Sequence, residues 1–69
     1  MNKVITKENE FTQIMTVDEA AILLRVPKSW IYERARRRGI ERIPHKKLGK
    51  YLRFQENELR NWFTNLPEN

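Results

Sequence analysis

The stretch that decides the fold is "MTVDEAAILLRVPKSWIYERARRRG", residues 15–39. Thr16, followed three residues later by Glu19, forms a capping box, in which each side chain bonds an otherwise unpaired backbone N–H, so a helix is predicted to begin here. Ile22 is predicted to point away from the buried side of that helix. The residues at helical spacing that predict its buried face are Val17, Ala20, Ala21 and Leu24.

A second helix is predicted directly after the first. Val26-Pro27 ends the first helix, because proline disfavours the α conformation in the residue before it. Proline also suits the start of a helix, which we expect to run from Lys28 to about Arg38 and to end at Gly39 in a left-handed cap. Ile31 and Ala35 share the side that faces the first helix. Two short helices joined by a tight turn predict a helix-turn-helix.

The segment "HKKLGKYLRF", residues 45–54, predicts a β-hairpin with Gly49-Lys50 as a two-residue turn. That loop length pairs Lys47 with Leu52 and places Leu48 on the face opposite Leu52. A loop of odd length would instead place Leu48 with Leu52 and Phe54. The sequence leaves both registers open.

The last helix is predicted at about Glu56 to Asn65. Leu59, Trp62 and Phe63 recur there at helical spacing, so we expect all three in the core. The fold class is therefore mainly α with a small β-hairpin.

Charge is concentrated in one segment of the chain. The net charge is +5, but residues 25–53, here called the basic segment, hold eleven Lys or Arg against Glu33 and Glu41, a net of +9 that leaves −4 for the rest. Such a concentration attracts polyanions, among which nucleic acid is the commonest. The alternative, a basic face that is merely solvated, stays open.

Catalysis, metal binding and membrane insertion are disfavoured by the inventory of residues. Ser29, His45 and Asp18 are the single serine, histidine and aspartate, and a catalytic triad would need all three to converge. With no cysteine in the chain, His45 has no thiolate partner for a metal, so a structural or phosphate-contacting role is expected. We expect no metal, no cofactor, no small-molecule ligand and no membrane span. A cytoplasmic, nucleoid-associated protein is the simplest interpretation.

The exposed side of the second helix suits a DNA major groove, because small polar and basic residues stand at its start. Arg36 can donate two hydrogen bonds to a guanine, and Ser29 can reach a base edge or a phosphate. Glu33 can accept from cytosine, or can pair with Arg36 or Arg37 instead. The predicted contacts of this helix are Lys28, Ser29, Tyr32, Glu33, Arg36 and Arg37.

Backbone contacts are predicted from the rest of the helix and from the hairpin. Arg34 and Arg38, like Arg37, are expected to hold phosphates, and Trp30 either packs on the hairpin or the N-terminal arm or touches the DNA backbone. The hairpin is predicted to be a basic wing that lies over a minor groove or along phosphates. Its predicted contacts are Lys46, Lys47, Lys50, Tyr51 and Arg53.

The segments "TVDEAA", "VPKSWIY", "LGKYLRF" and "LRNWF", in this order, resemble the excisionase-type (recombination directionality factor) helix-turn-helix family, small winged-helix proteins related to the DNA-binding domains of MerR regulators. The resemblance spans about residues 15–63. It implies a MerR-like winged helix that binds and bends double-stranded DNA at the attachment sites of phages and conjugative elements and biases an integrase towards excision. Other members regulate transcription on such elements. The resemblance implies DNA contacts from Lys28, Ser29, Tyr32, Glu33, Arg36 and Lys50.

These expectations divide the chain into a flexible arm (1–14), a winged helix-turn-helix DNA-binding domain (15–66) and a tail (67–69). An RNA-binding module is the alternative, since basic and aromatic residues also suit single strands. One recognition helix and one wing read only a short site, so further copies of the chain or an integrase are expected on neighbouring DNA. Ile22 is the predicted protein contact, although isolated exposed apolar residues are ordinary.

Overall fold

The computed structural model describes residues 13–67. Most of the predicted arm, residues 1–12, and the last two residues of the predicted tail lie outside this range. The elements of the described range are β1 (Ile14–Met15), α1 (Val17–Leu24), α2 (Lys28–Ala35), a 3-10 turn (Gly39–Glu41), β2 (Lys46–Leu48), β3 (Tyr51–Gln55) and α3 (Glu56–Thr64). Each helix among residues 13–67 is too short or too polar to cross a membrane.

Helix α1 begins with the predicted capping box. The Thr16 hydroxyl accepts from the Glu19 N–H at 3.2 Å, and the Glu19 carboxylate accepts from the Thr16 N–H at 2.9 Å. The helix ends at a left-handed Arg25, with φ of 60°, whose N–H donates to Ile22 while the Val26 N–H donates to Ala21. This pair of bonds is a Schellman motif, which ends the helix. Helix α1 therefore ends before Pro27, the residue that the sequence suggested as the cause.

Helix α2 ends at Ala35, earlier than the predicted Arg38. The Ile43 side chain is fully buried, and the Ile43 N–H donates to the Arg34 carbonyl at 3.2 Å. Because Ile43 is buried, the connecting segment lies beneath the end of the helix. Its backbone N–H there binds a carbonyl oxygen of the last helical turn. Gly39 has the expected positive φ, 68°, but it opens the 3-10 turn, so its prediction as the cap of α2 is wrong.

The three strands form an antiparallel sheet in the order β1-β3-β2. Lys47 pairs with Leu52 and Leu48 with Tyr51, so Gly49-Lys50 is the predicted two-residue turn. This pairing decides between the two registers that the sequence left open. Gly49 has a φ of 63°, which a two-residue turn with glycine first requires. Strand β1 was not predicted: it lies at the predicted boundary between arm and domain and pairs with the end of β3.

The core lies between α1, α2, the sheet and α3. Its buried members are Met15, Val17, Ala20, Ala21, Ile31, Ile43, Phe54 and Leu59. Ala20 and Ala21 lie on the buried face of α1 that the sequence predicted. Phe63 is 60% exposed, so its prediction as a core residue is wrong. Leu59 and Trp62 already occupy the side of α3 that faces the core, and Phe63 is left at a groove beside Leu23 and Leu24.

Two short helices joined by a tight turn, a β-hairpin and a closing helix together make a winged helix-turn-helix. Hereafter α2 is the recognition helix, and the wing is β2, β3 and their turn.

Candidate nucleic-acid interface

The recognition helix presents one buried and one exposed side. Ile31 is fully buried and anchors the helix on the core. Ser29, Tyr32, Glu33 and Arg36 are exposed. The predicted groove-facing set therefore does share the solvent side of this helix.

A cleft of about 300 Å³ lies between the recognition helix and the wing. It is lined by Tyr32, Ala35, Arg36, Arg42, His45, Lys47, Lys50 and Leu52. No acidic side chain is among these residues, so the cationic groups of two elements and of their connection face the same space. Such a cleft favours a polyanion that passes between the helix and the wing.

The predicted wing residues divide between the two faces of the hairpin. Lys47 and Lys50 line the cleft, whereas Lys46 and Arg53 line a depression of about 220 Å³ on the other face. Lys46 and Arg53 are directly paired across the strands, where like charges repel. Phosphate groups along this face would relieve that repulsion.

The ring of Tyr51 makes cation–π contacts with two basic side chains of the wing. Lys50 Nζ lies 5.6 Å and Arg53 Cζ 5.4 Å from the centroid of its ring. Tyr51 itself is exposed. These cation–π contacts hold two positive charges close together at an accessible edge.

Two of the predicted DNA-contacting residues are bound to each other. Arg37 Nη2 lies 3.1 Å from Glu33 Oε2, and Arg37 Nη1 bonds Glu41. The hydrogen bond that the Arg37 guanidinium donates to Glu33, followed by the one that it donates to Glu41, raises the pKa of Arg37 above its ordinary value. Arg34 Nη1 lies 3.5 Å from the same Glu41 carboxylate. These two arginines and two glutamates, here called the ion cluster, cancel one another's charge.

Trp30 packs against α3. Its ring meets Trp62 edge-on, with centroids 6.2 Å apart and planes at 60°, and the indole N–H of Trp62 donates to the Ile40 carbonyl at 2.8 Å. Arg34 Cζ lies 4.6 Å from the centroid of Trp30. The sequence did not predict α3 as a packing surface of Trp30, because Trp62 is distant from Trp30 in the sequence. Most of the arm, the other predicted surface, lies outside residues 13–67. Trp30 and Arg34 thus pack on each other, and Trp30 connects the recognition helix to α3.

The remaining predicted cations are accessible. Lys28 Nζ pairs with Asp18 Oδ1 at 3.2 Å, and both side chains are largely exposed. Surface pairs of this kind contribute about 0–1 kcal/mol, so a phosphate can replace Asp18 as the partner of Lys28. Arg38 is exposed in the connection that follows the helix.

Sequence reasoning missed Arg42 as a candidate contact, and it placed His45 in the hairpin segment with a structural or phosphate-contacting role. In the structure both residues lie in the connection before β2. Arg42 belongs to the basic segment, and this was the available signal. Its position beside Lys47 depends on the folding of the connection beneath the recognition helix.

The single aspartate and the single histidine each have a polar partner within the described residues. Asp18 pairs with Lys28, and His45 Nδ1 lies 2.7 Å from the backbone carbonyl oxygen of Ile43. Within residues 13–67 no group of three side chains could hold a metal ion.

The family follows from a comparison with known sequences. A family model described as "Helix-turn-helix domain" matches residues 14–67, from strand β1 to just beyond α3. The chain belongs to this helix-turn-helix family. The family is one of excisionase-like small DNA-binding proteins, typically without enzymatic activity, and membership indicates sequence-specific binding of double-stranded DNA. Comparison with curated proteins and with solved structures gave no match.

Proposed function

We propose that this helix-turn-helix protein is an excisionase, which binds and bends attachment-site DNA of a phage or integrative element and promotes excision by an integrase. The observation that carries the DNA-binding part is the cationic cleft, in which the recognition helix and the wing face the same space without an acidic residue. The resemblance over residues 15–63 supports the excision part. Bending would bring more phosphates to the accessible cations at the outer face of the wing.

In this proposal the recognition helix reads bases through Arg36 and Ser29, while Lys28 and Tyr32 bind phosphates at its margin. Glu33 reads a base only if it leaves Arg37, because its carboxylate is held in the ion cluster. Arg34 and Trp30 act as internal supports of the helix rather than as phosphate contacts.

The proposed excision activity requires contact with an integrase or with further copies on neighbouring DNA. Ile22 is 74% exposed on α1 and borders a shallow groove with Ala21 and Val26. The rim of this groove is charged and consists of Asp18, Arg25 and Lys28. Large apolar side chains at this exposure are ordinary singly, but here the neighbouring groove extends the apolar surface. We propose Ile22 as part of that protein contact.

The test is recombination of paired attachment sites by the element's integrase, with and without this protein. Ile22→Glu should bind a single DNA site as the parent does and should fail to stimulate excision or to fill tandem sites cooperatively. Ile40→Glu is the matched control, because Ile40 is also an exposed isoleucine. If the parent represses a promoter of the element but leaves excision unchanged, the protein is a transcriptional regulator and the excisionase proposal is wrong.

A further inference from the structure

His45 is the single histidine of the 69-residue chain, and it stands at the junction of the recognition helix and the wing. Its ring is half-buried and lies against Phe54, with centroids 6.2 Å apart. Phe54 belongs to the core, so the ring is supported from behind. The other side of His45 borders the cationic cleft.

The hydrogen bond to the backbone fixes which ring nitrogen carries the hydrogen in the neutral form. Nδ1 lies 2.7 Å from the carbonyl oxygen of Ile43, and a carbonyl oxygen only accepts. Nδ1 is therefore the donor, and Nε2 is the nitrogen that remains available to a ligand in the cleft. In neutral His45 this atom offers a lone pair, whereas in protonated His45 it offers an N–H.

The charged and titratable groups that face the cleft with His45 come from every element around it. Tyr32 and Arg36 come from the recognition helix, Arg42 from the connection, and Lys47 and Lys50 from the wing. Since none is an acid, the lining supplies no partner for an imidazolium. An anion that enters the cleft would supply that partner.

We propose that Arg42, His45 and Lys47 form a binding site for one phosphodiester group of DNA, with His45 donating to it through Nε2. This inference rests on the proposed DNA binding. It assigns a binding site to the segment of the DNA strand that passes between the recognition helix and the wing. A phosphate oxygen accepts hydrogen bonds and cannot donate one, so the bond forms only with protonated His45. Binding at neutral pH therefore takes up a proton from solvent, and that proton resides on Nε2.

The sign of the resulting pH dependence follows directly. Imidazoles change charge between about pH 5 and 8, and an opposite charge in contact favours the protonated form. Protonation thus stabilises the complex more than the free protein, and affinity for DNA rises as pH falls. We expect binding to be severalfold tighter at pH 5.5 than at pH 8.0.

The experiment is a series of dissociation constants for one DNA duplex at fixed ionic strength between pH 5.5 and 8.0. A phosphate-free buffer makes the DNA the sole source of phosphate. His45→Gln should show a nearly flat pH profile, because its amide donates at every pH. Lys47→Gln is the matched control: it should bind more weakly at every pH and retain the slope of the parent.

A second measurement on the parent protein removes dependence on whether His45→Gln folds. Calorimetric titration in two buffers of different ionisation enthalpy should reveal uptake of a fraction of one proton near pH 7. A parent protein that binds DNA at pH 8.0 without proton uptake or pH dependence would overturn this inference while leaving DNA binding intact. A folded His45→Gln that keeps the parent's pH slope would overturn it as well. Failure to bind DNA at every pH between 5.5 and 8.0 would instead count against the proposed function.

Discussion

Arg36 and Arg37 are neighbours in the sequence, yet their guanidinium groups have different surroundings. Arg36 is exposed and lines the cleft, whereas Arg37 is held between Glu33 and Glu41. A free guanidinium can bind guanine with two parallel hydrogen bonds, but a guanidinium already bound to two carboxylates must first lose them. Base reading is therefore assigned to Arg36.

Arg36→Ala should reduce the difference between binding to the specific site and to random DNA by about 1–3 kcal/mol, the contribution of one bidentate base contact. Lys47→Ala should weaken binding to both DNAs about equally, since a phosphate contact carries no sequence information. Competition titrations on specific and random duplexes measure both effects. Equal losses for Arg36→Ala on the two duplexes would make Arg36 a phosphate contact.

The sequence predicted single residues well where neighbouring residues decide their state. The bonds of Thr16 and Glu19 in the capping box follow from three-residue spacing, and Gly49 follows from the demand of a two-residue turn for positive φ. The ion pair of Glu33 with Arg37 was one of two predicted roles, because i,i+4 partners meet on a helix. Glu41 joined them only through the fold of the connection.

At the scale of elements, the features that the sequence did not predict depend on contacts between residues that are distant in the sequence. Burial of Ile43 shortens α2, and Trp62 on α3 supplies the packing surface of Trp30. Strand β1 has two residues, too few for a period-2 pattern, and forms only because β3 offers an edge. Spacing within one helix or hairpin contains no information about these partners.

Trp62→Phe tests the contact that ties the recognition helix to α3 through Trp30 and the connection. The change keeps a ring against Trp30 but removes the indole N–H that donates to Ile40 at 2.8 Å. We expect a loss of about 0.5–1.5 kcal/mol in the free energy of unfolding, and a larger loss for Trp62→Ala, which also removes the ring. Urea denaturation followed by Trp30 fluorescence for Trp62→Phe, and by circular dichroism for both, provides the measurement. A Trp62→Phe variant as stable as the parent would show that this bond contributes nothing.

Gly49→Val tests the wing as part of the interface. Gly49 has a φ of 63° and a Cβ there would meet no atom within 4 Å, so the cost is backbone strain alone, about 1–2 kcal/mol. Gly39→Val is the matched control, because Gly39 has a φ of 68° in equally open space outside the wing. Both variants should keep their helices by circular dichroism, and Gly49→Val should lose much more affinity for DNA. Equal affinities of the two variants would remove the wing tip from the interface.

At the scale of the whole molecule, the fold separates internal charge from accessible charge. Of the eleven basic side chains in the basic segment, Arg34 and Arg37 are neutralised in the ion cluster, which leaves nine outside it. Those that line the cleft or the outer face of the wing come from the recognition helix, the connection and both strands. A cationic surface built from several elements suits a duplex whose phosphates run past all of them.

The salt dependence of DNA affinity tests this account most directly. Each phosphate neutralised by a cation releases condensed counterions, so the logarithm of the association constant falls linearly with the logarithm of salt concentration, by about 0.9 per phosphate. With about five to eight phosphates held by the accessible cations, we predict a slope of roughly −4.5 to −7. Titrations of one duplex at several salt concentrations and fixed pH give this slope. A nearly flat dependence would contradict the assignment of the basic segment to the DNA backbone.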